Sequence, residues 1–433
     1  MLSCRHLLLA GLVACSGPAR AEEPKKDDPK KEEKSDPNGT PRKPATGRPM
    51  LLAECLTTAE QHQPRLKAAY SSLRGAEAGV QGLNGLGRIA DRLSPDLPVR
   101  RLQAALGLRV AQAEVDKTRQ ETVYDVTFLY FSFVYASQSE KTATDVLESL
   151  DAYYKFAEDL VNSGVKQPGL TIDKPALYNL QAIISKVQML RLEAETKRRQ
   201  TLVALREAMG VGPECDFQPA AKQLPVMGED GGGGLTEELV VQWALARRPE
   251  LVQTATAVAV FSLEPAAQAL VRVRPQVNTL AAGTDLHSKL VPLPLRNGQY
   301  RPGGLDTEMP ISLVGKPDDR VARACEYAAR QGFQHETTVG LVRAEASAAF
   351  IDWDSATVRM GLAKKRSETS RRALEEATAA ASTRLNPQQL VAAQTIAGEA
   401  LADYVKAVYE HLVFLAKLQR VTAGGVQLNF AGK

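Results

Sequence analysis

Glu345, Asp352 and Asp354 surround Trp353, and a group of carboxylates is what general acid–base work or cation binding would need. On a helical stretch with basic neighbours, however, these three read as surface charges. His62, His287, His335 and His411 are scattered, without the paired spacing of a metal site. Cys55, Cys215 and Cys325 are widely spaced and form no Cys-x-x-Cys pair, so they read as buried thiols. Tyr124, Phe128, Phe131 and Tyr135 step by four, three and four, an aromatic stripe along one helix face that reads as packing. Gly231-Gly232-Gly233-Gly234 lacks the lysine and the strand–helix setting of a phosphate loop and reads as a joint. No nucleophile–base–acid group, metal set or cofactor motif can be assembled. The residues point away from an enzyme.

The elements that carry these residues are given twice. Gln63-Pro64-Arg65-Leu66 opens one apolar helical run, and Arg248-Pro249-Glu250-Leu251 opens another. In each case an alanine-rich helix, a very long helix, a short loop and a return helix follow, ending at Gly210 and at Gly424-Gly425. A unit of this size is two fold-sized halves rather than a solenoid. Arg101 to Ser163 contains no proline and predicts one helix on the order of 90 Å long. Leu177, Leu180, Ile184 and Val187 mark an apolar seam on the first return helix. Leu401, Val405, Val408, Leu412 and Leu415 mark one on the second. The loops 164–171 and 382–387 turn the chain back, giving two long antiparallel hairpins.

Between the helices of the second half, residues 275–314 change character. Gln276 to Ala281 and Thr307 to Leu313 carry strand formers, with Pro292, Pro294, Gly298, Pro302, Gly303 and Gly304 between them. This predicts a β-hairpin long enough for a membrane barrel. The two halves align with an offset of 185 at the prolines and 220 at the long helices, so the first half lacks 35 residues at that point. In their place stand Gly85 to Arg100, a hairpin truncated to a turn.

Arg5, the apolar run Leu7 to Ala14 and Ala19-Arg20-Ala21 form an export signal spanning residues 1–21. Leu12-Val13-Ala14-Cys15 also fits a lipobox, in which Cys15 is acylated, and both processing readings stand. Residues 22–50 are charged and proline-rich, a disordered tether. The first half covers 51–212, a Pro/Gly linker 213–234 and the second half 235–428. A net charge of +4, with both signs interspersed, gives no basic stripe for nucleic acid. No later stretch is apolar for the length of a membrane helix.

A proline-split opening helix, a β-hairpin, a long helix, a tip loop and a return helix, doubled after an export signal, resemble the TolC-type outer-membrane efflux proteins over Leu51 to Leu428. Ser163-Gly164-Val165 entering the first tip, Leu170-Thr171-Ile172-Asp173 leaving it, and Ala208-Met209-Gly210-Val211 closing the half carry the likeness. The resemblance implies a mainly α fold of duplicated long helical hairpins forming an α-barrel tunnel, with a small β contribution to a membrane barrel. It implies a homotrimer that conducts small molecules passively outward from the periplasm, seated in outer-membrane lipid. A periplasmic adaptor and an inner-membrane pump would be its partners. Gly164, Val165 and Asn386 would lie at the tips that meet the adaptor, and three copies of Asp173 would ring the tunnel mouth. Asp173 also reads simply as an acid near a helix start, and Gly164 as a helix cap. Half the strands would give a much narrower barrel. The alternative is therefore a periplasmic or lipid-anchored coiled-coil interaction protein that kept the helices and lost conduction.

Overall fold

Proline at the first position of a helix has no N–H to lose, and its ring drives the preceding residue out of the helical region. Gln63 (ψ 118°) and Arg248 (ψ 128°) are accordingly extended, and each half breaks there into two helices. The computed structural model describes residues 47–163, 174–226, 234–271, 316–381 and 387–426. Within them the first half holds α1 (Leu52–His62), α2 (Pro64–Gly85), α3 (Arg88–Leu93), α4 (Leu97–Ser163) and α5 (Lys174–Met209). The second holds α6 (Glu237–Arg247), α7 (Pro249–Leu270), α8 (Pro317–Ala381) and α9 (Pro387–Val421). Equivalent helices have 11 and 11, 22 and 22, 67 and 65, and 36 and 35 residues. The duplication read from the prolines extends to the helix lengths.

At 1.5 Å per residue α4 is about 100 Å long. It packs on α5 and on α9, and α9 packs on α8, so the four long helices lie in the order α5–α4–α9–α8. The main core joins α1, α4, α5 and α9 through Cys55, Val126, Tyr130, Val134, Leu205, Met209 and Leu412. Each such buried side chain contributes roughly 1.5–3 kcal/mol. The aromatic stripe does pack: Phe131 is buried, and the Tyr135 ring stacks on Tyr409 at 4.6 Å. A second core joins α6, α8 and α9 through Val240, Ala346, Trp353 and Leu418. In the seams, Leu180 and Ile184 are buried, as are Val408, Leu412 and Leu415, whereas Leu401 is exposed.

Two short strands amend the reading of the tether and the linker. β1 (Arg48–Met50) pairs in parallel with β2 (Phe217–Pro219), Arg48 opposite Phe217. So small a sheet is marginal alone. It is held by Phe217, which is buried in the main core, and by Tyr130. The Tyr130 hydroxyl donates to the Met50 carbonyl and accepts from the Ala221 N–H, both at 3.3 Å. The tether therefore ends, and the linker begins, in ordered backbone.

Where the second half has residues 272–315, the first has only the turn around α3, with no strand between α2 and α4. The proposed hairpin 275–314 lies outside the described residues, as do the export signal and Cys15. No described helix is long and apolar enough to cross a membrane.

Candidate functional site

The long helices form a row whose two outer members are α5 and α8. The outer helices α5 and α8 each carry large apolar side chains that no described residue covers. On α5 Tyr178, Met189, Leu192 and Val203 stand at steps of eleven, three and eleven, with Leu190 exposed to one side of them. On α8 Phe333, Ile351, Val358 and Leu362 stand at steps of eighteen, seven and four. All these steps are close to whole numbers of helical turns, so each set is a single stripe. A stripe this long on a soluble monomer is unusual and marks a surface for another protein or a membrane.

Within the row the halves are fastened by buried polar clusters. At the first proline joint Gln63 Nε2 donates to the Ala208 carbonyl at 2.7 Å and to Glu207 at 3.2 Å, capping the end of α5. Gly210 (φ +68°) completes the joint, lying against the His62 and Gln63 backbone. At the second joint Arg248 takes the place of Gln63. Its guanidinium bonds Glu345 and, at 2.6 Å, Glu250, and Glu345 also accepts from Arg420 at 2.6 Å. Arg420 lies over the Tyr124 ring of the first half, 5.3 Å from its centroid. Burial alone would lift the Glu250 carboxyl, but the Arg248 hydrogen bonds and charge outweigh it and hold Glu250 below the usual range.

Glu345 is thus no surface charge. It is 6% exposed, while Asp354 is exposed and Asp352 accepts from Lys417 at 2.8 Å. The signal was present: Val342, Ala346, Ala349 and Trp353 form the buried stripe of α8, and Glu345 falls within it. Cys55 is buried, and burial pushes its thiol up to about 12. Cys325 is exposed instead, because Ala324 takes the inward face of α8 at that turn. His411 is buried against Trp353, its Nδ1 without a partner among the described residues. His335 Nδ1 meets the Thr254 hydroxyl at 2.8 Å.

A second ionic cluster ties the start of α4 to the end of α7. Arg100 reaches both Glu264 oxygens at 2.5 and 3.0 Å, and Gln103 and Gln268 donate to the same carboxylate. Burial would raise Glu264, but the Arg100 contacts win and hold it below the usual carboxylate range. The tip residues Gly164, Val165, Asp173 and Asn386 lie outside the described residues. Sequence reading found none of the buried clusters, since their partners lie up to 164 positions apart.

No family model and no curated relative matches the sequence. Solved structures do match the fold. The CmeC outer membrane channel of Campylobacter jejuni is 13% identical with TM-score 0.64, covering 86% of each chain. The open state of the MtrE outer membrane channel of Neisseria gonorrhoeae is 15% identical with TM-score 0.64, over 87% of this chain and 89% of that one. The outer membrane protein VceC of Vibrio cholerae is 13% identical with TM-score 0.62, over 87% and 97%. A doubled set of proline-split helices and long hairpins, fastened at the joints, thus gives this chain the fold of the TolC-type outer-membrane channels.

Proposed function

We propose that the chain is the outer-membrane subunit of a tripartite efflux system, a passive conduit for small molecules from periplasm to exterior. The observation that carries this is the pair of unpartnered stripes on α5 and α8. They lie on opposite edges of one row, so the α5 edge of one copy can meet the α8 edge of the next. Such head-to-tail contacts close into a ring. Three copies would make the tunnel, with residues 275–314 of each contributing strands to a barrel in outer-membrane lipid. Gly164, Val165 and Asn386 would meet a periplasmic adaptor, Asp173 would ring the mouth, and an inner-membrane pump would supply the energy. No step calls for a cofactor or for catalysis.

The short α3 where a first hairpin is expected favours a second reading: a lipid-anchored or periplasmic interaction protein that keeps the helices without conduction. The native mass of the protein extracted from outer membranes in mild detergent, followed by planar-bilayer recording, separates the two. A trimer that conducts supports the channel, and Leu192→Glu with Leu362→Glu should reduce it to monomers. A protein released by a salt wash as a monomer would sink the channel reading. A trimer without conductance would leave the interaction protein standing.

A further inference from the structure

We infer that the α3 turn is a seat for an anionic phospholipid leaflet, replacing with a surface anchor the membrane contact that a first hairpin would have made. The inference rests on the reading that residues 275–314 enter a membrane.

The contacts fix where α3 lies. Arg100 binds Glu264, four residues before Gln268 near the end of α7. On α8, Arg320 Nη2 donates to the Gln268 and Val271 carbonyls at 3.2 and 3.3 Å, so the two ends flanking 272–315 are held together. Arg101, next to Arg100, clasps the turn itself. It donates to the Leu83 carbonyl at 2.9 Å and to Leu86 at 2.6 Å, and pairs with Asp91 at 2.9 Å. The α3 turn is therefore fastened at the end of the molecule from which 272–315 departs.

Its exposed chemistry is that of an interfacial helix. Ile89 and Leu93, one helical turn apart, are 77% and 71% exposed, and Leu86 just before α3 is exposed too. Arg88 and Arg92 form the adjacent row, both exposed and unpaired among the described residues. The acid of α3, Asp91, is half-buried and paired with Arg101, so the most exposed groups of the turn are apolar and cationic. A leaflet satisfies both at once, taking the aliphatic side chains below its headgroups while the arginines meet phosphate. A second copy of this chain would cover the apolar row but would have to supply carboxylates for Arg88 and Arg92.

The test uses the full chain, with Cys215→Ser and Cys325→Ser, in vesicles of phosphatidylethanolamine and phosphatidylglycerol. An environment-sensitive dye is placed at Ile89→Cys, at Leu93→Cys, at Leu280→Cys within 275–314, and at Arg371→Cys on exposed α8 as the aqueous reference. Native mass checks each variant for assembly. The expected result is several-fold weaker iodide quenching at 89 and 93 than at 371, together with strong quenching by headgroup-labelled lipid. Arg88→Gln with Arg92→Gln should reverse much of that shift. Open access of iodide at 89 and 93 while the dye at 280 sits in lipid overturns the inference and leaves the proposed function intact. Protection from iodide without quenching by lipid also overturns it, because protein then covers the turn. A dye at 280 that stays in water overturns both.

Discussion

At the proline joint of the first half Gln63 reaches the end of α5 with a neutral amide, whereas in the second half Arg248 reaches Glu345 as an ion. The backbone is almost the same at both places, and so are the lengths of the helices that meet there. The difference shows that the joint is a geometric requirement met by two chemistries. The amide needs only the carbonyls that any helix end offers. The guanidinium needs Glu345 on α8 and so locks α7, α8 and α9 into one register through Arg420. The ionic version binds more elements together and leaves more to lose when one partner goes.

The largest effect should come from Glu345→Ala, which leaves the buried Arg420 without a carboxylate and Arg248 with Glu250 alone, and should cost about 3–5 kcal/mol. Gln63→Ala removes bonds to two carbonyls and should cost about 1–3 kcal/mol. Guanidinium unfolding in mild detergent, followed by helical circular dichroism, compares them, and equal costs would break the contrast. Replacing Arg248, Glu250, Glu345 and Arg420 together by methionine and leucine should be close to neutral, because no charge of the cluster is then left unpaired.

Next come the glycines that close the halves. A side chain at Gly424 (φ +77°) would meet open space, so Gly424→Ala should cost only the left-handed backbone, about 1–2 kcal/mol. At Gly210 a Cβ would also stand 2.6 Å from the His62 carbonyl oxygen, in backbone that cannot move aside. Gly210→Ala should therefore lower the melting temperature clearly more than Gly424→Ala. The reverse order would show that the first joint is looser than its contacts suggest.

Acidification should sharpen the comparison, since Glu250, Glu264 and His411 all belong to the second half. His411 is held below the ordinary histidine range by burial. The unfolded chain takes up a proton first, so stability falls as pH drops below about 6.5 toward the lowered value. The depressed carboxyls of Glu250 and Glu264 contribute stability above about pH 4.3, lost as pH falls through their folded values. Hydrogen exchange across this range should show α7–α9 opening before α4–α5, and His411→Phe should remove the earlier of the two losses. The smallest change belongs to the exposed pair Arg366–Asp403, where Arg366→Ala should cost under ~1 kcal/mol in the same unfolding assay.

What the sequence by itself determined is the plan of the protein. Pro64 and Pro249 break the opening helices, proline-free runs keep α4 and α8 continuous, and the offset between the halves marks where the first hairpin is missing. These signals act within a few residues, through ring sterics and helical periodicity, so they survive without knowledge of the rest of the chain. Only the tertiary structure decided which way each helix turns its flanks. Glu345 became the hub of a buried cluster because α6–α7 and α9 close over its side of α8, while Cys325 was left outside. Arg48–Met50 left the tether because Phe217 and Tyr130, distant in sequence, offered it a partner strand and an anchor. Which stripes stay open was likewise settled by packing order: α4 and α9 took the middle of the row, and α5 and α8 were left as its edges.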